Sequence, residues 1–354
     1  MSTELPQRLP VRERAAAAAA PPLVSVSILT YNQRELVGRA IDSVLAQRVD
    51  FPLEIIIGDD CSDDGTQAVL RSYQSRYPDL IHLVLHPRRY DNVPGRINNL
   101  TNLRACRGKY TAMLDGDDYW TDPDKLQRQF ERMESDATLS MCLHDTRFEY
   151  ADTMPVRHSR PQRVVEGGTL RHSGVYHHTD LATGDRLSVH ISSIFFRTGI
   201  YGELPDWFYE ILPADRALLL LISQRGAFYY DARPQSVYYR NGLSFTATAY
   251  NECEQLYRRL ADVRIFADHF PAMRASGATG PSTAWLHYRL LRCHFRAGGY
   301  SKIIRPALDM LRADPTFLQT LLANAWTAET GKWRQRAARL YLGGRAFFSF
   351  KTYP

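Results

Sequence analysis

Val24-Ser25-Val26-Ser27-Ile28-Leu29-Thr30-Tyr31-Asn32 is the stretch from which the fold can be read. Apolar residues alternate with small polar ones through Ile28, the two-residue period of a β-strand, and the run ends at Thr30-Tyr31-Asn32. Leu36, Val37, Ala40, Ile41, Val44 and Leu45 then recur at helical spacing and form one stripe for burial. Glu54-Ile55-Ile56-Ile57 is a short β-branched run suited to a strand covered on both faces. After the turn from Gly58 to Gly65, Val69, Leu70, Tyr73 and Tyr77 mark a second helix. It must stop before Pro78, because the proline ring disfavours a helical residue ahead of it. A third strand is expected at Ile81 to Leu85, a helix between Ile97 and Cys106, and a fourth strand at Tyr110 to Leu114. Strands and helices in alternation imply an α/β fold with a mostly parallel, Rossmann-like sheet flanked by helices.

In open sheets of this kind ligands gather beyond the carboxyl ends of the strands. Thr30-Tyr31-Asn32, Asp59-Asp60 and Asp115-Gly116-Asp117-Asp118 all fall there. Further on, the pattern predicts a helix from Pro123 to Ser135 and a strand over Ser140 to Tyr150. Ala151 to Asp180 reads as loop or hairpin, and Ser188 to Phe196 as a strand-like segment. Asp215 heads a helical run over Ala217 to Ser223, and the aromatic segment Tyr229 to Arg240, ending in Arg240-Asn241-Gly242, closes the domain. From Tyr250 onward helical patterns dominate, at Leu256, Leu260 and Val263, at Trp285 to Phe295 and at Ile303 to Leu311. The chain therefore divides into a disordered leader (1–22), an α/β domain (23–245) and a helical C-terminal extension (246–354). One helical-hairpin-like stretch around Arg296 to Pro315 does not make a repeat array.

Composition narrows the functional classes. Lys and Arg outnumber Asp and Glu by 44 to 38, a formal charge of +6. The basic residues are scattered and lack a base-stacking motif, so nucleic-acid binding is not the expected role. The five cysteines, Cys61, Cys106, Cys142, Cys253 and Cys293, are odd in number and form no CxxC pair, which fits a reducing cytosol. Ala15 to Ala20 is too short for a signal peptide and breaks at Pro21-Pro22, and no window reaches the roughly 18 apolar residues of a membrane span. The tail mixes Lys332, Trp333, Arg334, Arg336, Arg339, Tyr341, Phe347, Phe348, Phe350 and Lys351. That mixture suits peripheral contact with a membrane surface, with packing of the aromatics on the protein body as the competing reading.

Met113-Leu114-Asp115-Gly116-Asp117-Asp118 carries the strongest chemical signal. Its clustered carboxylates after a buried strand repel one another unless positive charge lies between them. Oxygen ligands of this kind suit Mg²⁺ or Mn²⁺. The competing reading is a solvated turn capping the next helix through Thr121 or Asp122. Asp59-Asp60-Cys61-Ser62-Asp63-Asp64-Gly65-Thr66 is a second acidic turn. Helix capping accounts for Ser62, Asp63 or Asp64, whereas Asp59 and Asp60 lie too early for it and are candidates for a base or ribose contact. No dinucleotide or P-loop glycine pattern follows the first strand, so a bound diphosphate would have to be neutralised by a metal.

Three ordered motifs resemble family-2 glycosyltransferases of the GT-A fold. They are Val24 to Asn32, the turn Asp59 to Thr66, and Gly108-Lys109-Tyr110 followed by Leu114-Asp115-Gly116-Asp117-Asp118-Tyr119-Trp120. The resemblance covers residues 23–245. It implies that Thr30 and Tyr31 line a nucleoside pocket, that Asp60 and Asp59 contact base or ribose, and that Asp117 and Asp118 form the DxD-type site for ribose, metal and diphosphate, with Asp115 completing the cluster. Arg96 falls near a basic position of the family, although the surrounding Asn92 to Leu100 departs from its pattern. Asp215 matches the acidic general base at a helix start, N-capping being the competing role. His190 and His144 lie where the acceptor side of the cleft is expected, and a structural role competes for both.

The resemblance implies an inverting, metal-dependent glycosyltransferase that uses a nucleotide-diphosphate sugar donor and a glycan or glycolipid acceptor. It also implies a cytoplasmic location, or a peripheral one on the cytosolic membrane face, in the building of cell-envelope polysaccharide or glycolipid. A metal-dependent nucleotidyltransferase and a non-catalytic glycan-binding protein on the same fold are the alternatives.

Overall fold

The computed structural model describes residues 9–14, 20–89, 95–151, 172–183, 189–240, 253–275, 279–296, 302 and 304–314. Its elements begin with β1 (Leu9–Pro10), α1 (Val11–Arg14), β2 (Val24–Thr30), α2 (Val37–Leu45), β3 (Arg48–Val49), β4 (Leu53–Asp59), α3 (Thr66–Arg76) and β5 (Ile81–Leu85). They continue with α4 (Arg96–Ala105), β6 (Tyr110–Asp115), β7 (Tyr119–Trp120), α5 (Lys125–Ser135), β8 (Leu139–Tyr150), β9 (Gly174–Tyr176), α6 (His178–Thr183) and β10 (Phe195–Arg197). After α7 (Ala214–Ser223) and β11 (Ala227–Arg240) come α8 (Cys253–His269), α9 (Pro271–Ala275), α10 (Thr279–Arg296) and α11 (Ile304–Ala313).

Nine strands form one sheet in the order β5-β4-β2-β6-β10-β8-β11-β7, with β9 beside β11. β5, β4, β2 and β6 are mutually parallel, β10 runs antiparallel between β6 and β8, and β8 and β11 pair in parallel. The mixed, mostly parallel sheet is that of the GT-A fold. Alternate residues feed two cores. Val24, Val26 and Ile28, with Tyr110, Ala112 and Leu114, pack toward α2, α3 and α5. Met113, Met141 and Leu143 face α4 and α7 on the opposite side.

The serines of β2 are not solvent-facing, although they alternate with valines. Ser25 and Ser27 are fully buried. Ser25 donates to Glu54 at 2.7 Å, and Ser27 accepts from Asn102 at 3.2 Å. Asn102 also donates to the Ile28 carbonyl, and Asn98 donates to that of Gly58. This polar seam lets α4 lie against the sheet at Gly58. A Cβ on Gly58 would fall 2.1 Å from Asn98 Oδ1, so the strand requires glycine there.

Four expectations need correction. Ser188 to Phe196 is not one strand, because Ile191–Ser193 forms a 3₁₀ turn before β10. There Ser193 donates its hydroxyl to the His190 carbonyl, a local bond that competes with strand pairing. The helix expected from Pro123 begins at Lys125, since Asp122 accepts the backbone N–H of Asp124 and turns the chain first. Within the expected leader, Leu9–Pro10 pairs with Arg48–Val49 and Val11 is buried, so this short piece is docked by sheet hydrogen bonds and an apolar contact. Cys253 and Cys293 form a disulfide between α8 and α10, where a chain of free thiols was expected. Helical packing brings these cysteines together across 40 residues of sequence, a proximity their spacing does not reveal. The rest of the leader (1–8 and 15–19) and the basic-aromatic tail lie outside the described residues.

The start of the expected C-terminal extension is built into the body. Phe266, Phe270 and Met273 share a core with α7, and Asp262 accepts the backbone N–H of Leu212 at 3.1 Å. Among the described residues no helix is long and apolar enough to cross a membrane.

Candidate active site

The acidic turn leaves the central strand β6 and is held from two sides. Gly116 donates its backbone N–H to the Leu29 carbonyl at 2.7 Å, and a Cβ there would fall 2.4 Å from Gln33 Oε1 and 2.9 Å from that carbonyl. A glycine is therefore needed for the turn to lie against the end of β2. From the other side, the Ser192 hydroxyl donates to Asp118 Oδ2 at 2.6 Å and accepts the Asp115 N–H at 3.3 Å. Tyr239 of β11 donates its N–H to Asp118 Oδ1 at 3.0 Å, and the indole N–H of Trp120 donates to the Ser192 carbonyl at 2.8 Å. Lys125, fully buried beneath Trp120 with its Nζ 3.9 Å from the ring centroid, has its pKa pushed well down by burial.

Burial raises the carboxyl pKa of Asp115 and Asp118 well above the usual range and that of Asp117 to about 6. Mutual repulsion adds to the shift at Asp115 and Asp118. At Asp117, hydrogen bonds from its own backbone and Gln33, and the charge of Arg39, pull the other way. Asp215 also acts on Asp115, so the head of α7 lies within electrostatic reach of the acidic turn. His190 Nδ1 is 3.2 Å from Asp118 Oδ2. Burial, reinforced by Arg240, pushes His190 down to about 3, so this contact is not an ion pair. A buried group of carboxyls and a neutral imidazole is a donor set for a divalent cation, and a cation would invert these shifts. One ligand atom each from Asp115, Asp118 and His190 lies within 4.8 Å of the others. The residues present therefore fit a metal.

Asp215 occupies the first turn of α7, whose N-cap is Pro213, and no side-chain cap bond forms there. Its carboxylate is not spent on capping. Thr30, at the end of β2, is buried, with its hydroxyl unpaired among the described residues. The Tyr31 ring carries the Arg89 guanidinium 3.9 Å from its centroid, and Arg89 pairs with buried Asp60 at 3.8 Å. Asp60 also accepts the Gly95 N–H, and burial raises its pKa. Tyr31, Asp60 and Arg89 thus form an aromatic, acidic and basic group at the strand ends. Asp59 is differently employed. Its oxygens accept Ser62 N–H, the Ser62 hydroxyl and Gln67, which leaves little free capacity. Asp63 and Asp64 bind Asn32 and the Arg34 N–H, so the second acidic turn is stitched to the first strand's turn.

Arg96 is buried in α4, where it donates to the Tyr209 carbonyl and faces Asp262. The basic residue beside Tyr31 and Asp60 is Arg89. Sequence reasoning missed it, although His86-Pro87-Arg88-Arg89 directly follows β5 at the ligand-binding edge of the sheet. Arg39 was missed as well. It lies between the rings of Tyr119 and Tyr239, 4.1 and 4.5 Å from their centroids, and donates to the Asp117 carbonyl at 3.5 Å. His144 is fully enclosed, its Nδ1 at the Asp145 carbonyl, and burial pushes its pKa well down. It lies inside the body rather than on a cleft wall.

A mixed sheet bearing this carboxylate turn at the end of its central parallel strand has the architecture of the GT-A fold. More narrowly, residues 25–191 match Glycosyl transferase family 2, and this segment belongs to that family. Over 129 residues the chain is 40% identical to an uncharacterized protein of Mycobacterium tuberculosis, covering 36% of each chain. Over 112 residues it is 38% identical to the putative teichuronic acid biosynthesis glycosyltransferase TuaG of Bacillus subtilis, covering 32% of this chain and 42% of that one. The chain thus spans less than half the length of these relatives. The mannosyltransferase PcManGT from Pyrobaculum calidifontis, solved with GDP-Man and Mn²⁺, superposes with a TM-score of 0.53 at 18% identity, covering 93% of this chain and 91% of that one. At that identity the likeness is one of fold.

Proposed function

We propose that the protein transfers a sugar from a nucleotide-diphosphate sugar to a hydroxyl of a glycan or glycolipid acceptor, with inversion, in the synthesis of cell-envelope polysaccharide or glycolipid. The observation that supports this reading is the buried turn of Asp115, Asp117 and Asp118 at the end of the central strand, with Asp215, at the head of α7, acting on Asp115. Thr30, Tyr31 and Asp60 receive the nucleoside, with Arg89 beside them. Asp59 shapes the turn that presents Asp60, and Arg96 holds α4 behind it. Asp117 and Asp118, supported by Asp115, hold Mg²⁺ or Mn²⁺, which when bound stabilises negative charge on the diphosphate. Asp215 takes the proton of the acceptor hydroxyl as that oxygen bonds to the anomeric carbon. The bond from this carbon to the diphosphate breaks, and its electron pair leaves with the nucleotide. A single displacement of this kind inverts the anomeric centre.

The unit at 23–245 performs this chemistry. The extension at 246–354 braces it and offers its basic-aromatic tail to the cytosolic membrane face, where cytoplasmic donor meets acceptor. The test is a screen of nucleotide sugars for nucleotide release with Mg²⁺, Mn²⁺ or chelator. Metal-dependent release of nucleoside diphosphate is expected. Pyrophosphate release would indicate nucleotidyl transfer instead, and absence of turnover with every donor would favour a non-catalytic glycan-binding protein.

A further inference from the structure

His190 reaches the acidic turn from the wall opposite β2. Its ring is fixed by stacking on Tyr238, with centroids 4.3 Å apart. Its Nδ1 accepts the Ser192 N–H at 3.4 Å. The same nitrogen lies 3.2 Å from Asp118 Oδ2. A shared proton or a bound cation between the two groups accounts for this separation. Adjacent ligands of a six-coordinate ion, with bonds of 2.0–2.2 Å, lie about 3 Å apart. Asp118 retains the capacity to bind, because its hydrogen bonds from Tyr239 and Ser192 use one site on each oxygen.

Resting on the reading of the acidic turn as a metal-holding donor site, we propose that His190 is a direct nitrogen ligand of the divalent ion, alongside Asp115 and Asp118, and that this set favours Mn²⁺ over Mg²⁺. Imidazole nitrogen suits transition ions, whereas Mg²⁺ takes oxygen ligands and sheds water reluctantly. The 3₁₀ turn at 191–193 then joins the metal site to the acceptor side of the cleft.

Mn²⁺ alone, added to the full chain, tests this by electron paramagnetic resonance. The bound ion should show coupling to one imidazole ¹⁴N, replaced by ¹⁵N coupling when the histidines are ¹⁵N-labelled. In His190→Asn the coupling should vanish and Mn²⁺ affinity fall about 10- to 100-fold, with Mg²⁺ affinity by competition falling less. Labelled wild-type protein gives the answer by itself if the variant does not fold. Bound Mn²⁺ without nitrogen coupling, or coupling that persists in His190→Asn, would overturn the assignment of His190 while leaving the acidic turn as a metal site. No Mn²⁺ binding at all would overturn both.

Discussion

The sheet edge built by β2, β4, β5 and β6 and the wall built by the 191–193 turn, α7 and β11 contribute to the same site in different ways. On the first edge each candidate side chain closes or follows its own strand: Thr30 ends β2 and Tyr31 follows it, Asp60 follows β4, Arg89 lies shortly after β5, and Asp115 ends β6 ahead of Asp117 and Asp118. Parallel strands point their carboxyl ends the same way, so order in sequence becomes neighbourhood in space. On the second wall His190, Ser192, Asp215 and Tyr239 come from a turn, a helix start and the end of a long strand. Asp215 and His190 stand out through the family resemblance alone and Ser192 and Tyr239 not at all, since tertiary packing rather than a local motif assembles this wall. Strand-end motifs can thus be read locally, whereas the opposite wall is assembled by packing.

The sharpest break of this comparison is at Asp118, which both walls share. Asp118→Asn keeps the size of the side chain but removes the charge, and sugar transfer should fall by about 10²-fold or more in steady-state assays. Gly58→Ala strikes the first edge alone. Its methyl group would drive into Asn98 and Asn102, so stability should drop by about 1–3 kcal/mol in denaturant titration, while a variant on the opposite wall leaves this seam intact.

Ser192→Ala probes the join between the walls. It removes the hydroxyl between Asp115 N–H and Asp118, so a loss of about 1–2 kcal/mol in stability and a weaker metal affinity are expected from melting and titration.

The smallest effect concerns pH. Burial would raise the pKa of Glu54, but hydrogen bonds from Ser25 and from Arg107, with the Arg107 charge, outweigh it and hold the carboxyl below its ordinary 4.5. A depressed folded-state pKa contributes stability that is present above about 4.5 and is lost as pH falls through the folded value. Glu54→Gln should therefore lower stability by about 1 kcal/mol at neutral pH and flatten the acid limb of a stability-versus-pH curve. An unchanged acid limb would show that this edge owes nothing to the Glu54 network.

The parallel sheet, its helices and the acidic turn were legible because their periods and turns are local. The 3₁₀ turn was not: His190-Ile191-Ser192-Ser193 reads as strand by composition, and its serines choose local and cross-wall hydrogen bonds instead. Arg96 looked like the basic contact because it sits near the right place in sequence. Burial in α4 commits it to Tyr209, and Arg89 takes the place beside Tyr31. Asp59 reads as a ligand from its position at the end of β4, but its carboxylate accepts two hydrogen bonds from Ser62 in the turn and one from Gln67 of α3, which ties the loop down. The Cys253–Cys293 pairing depended on how α8 and α10 pack, which cysteine spacing does not encode.

The central claim is that Asp215 and the acidic turn serve one transfer reaction from opposite walls. Measuring metal affinity, donor affinity and transfer rate together in Asp215→Asn tests it most directly. The account predicts wild-type binding of Mn²⁺ and donor, with the rate of transfer reduced by about 10²- to 10⁴-fold. Transfer at the wild-type rate would contradict it.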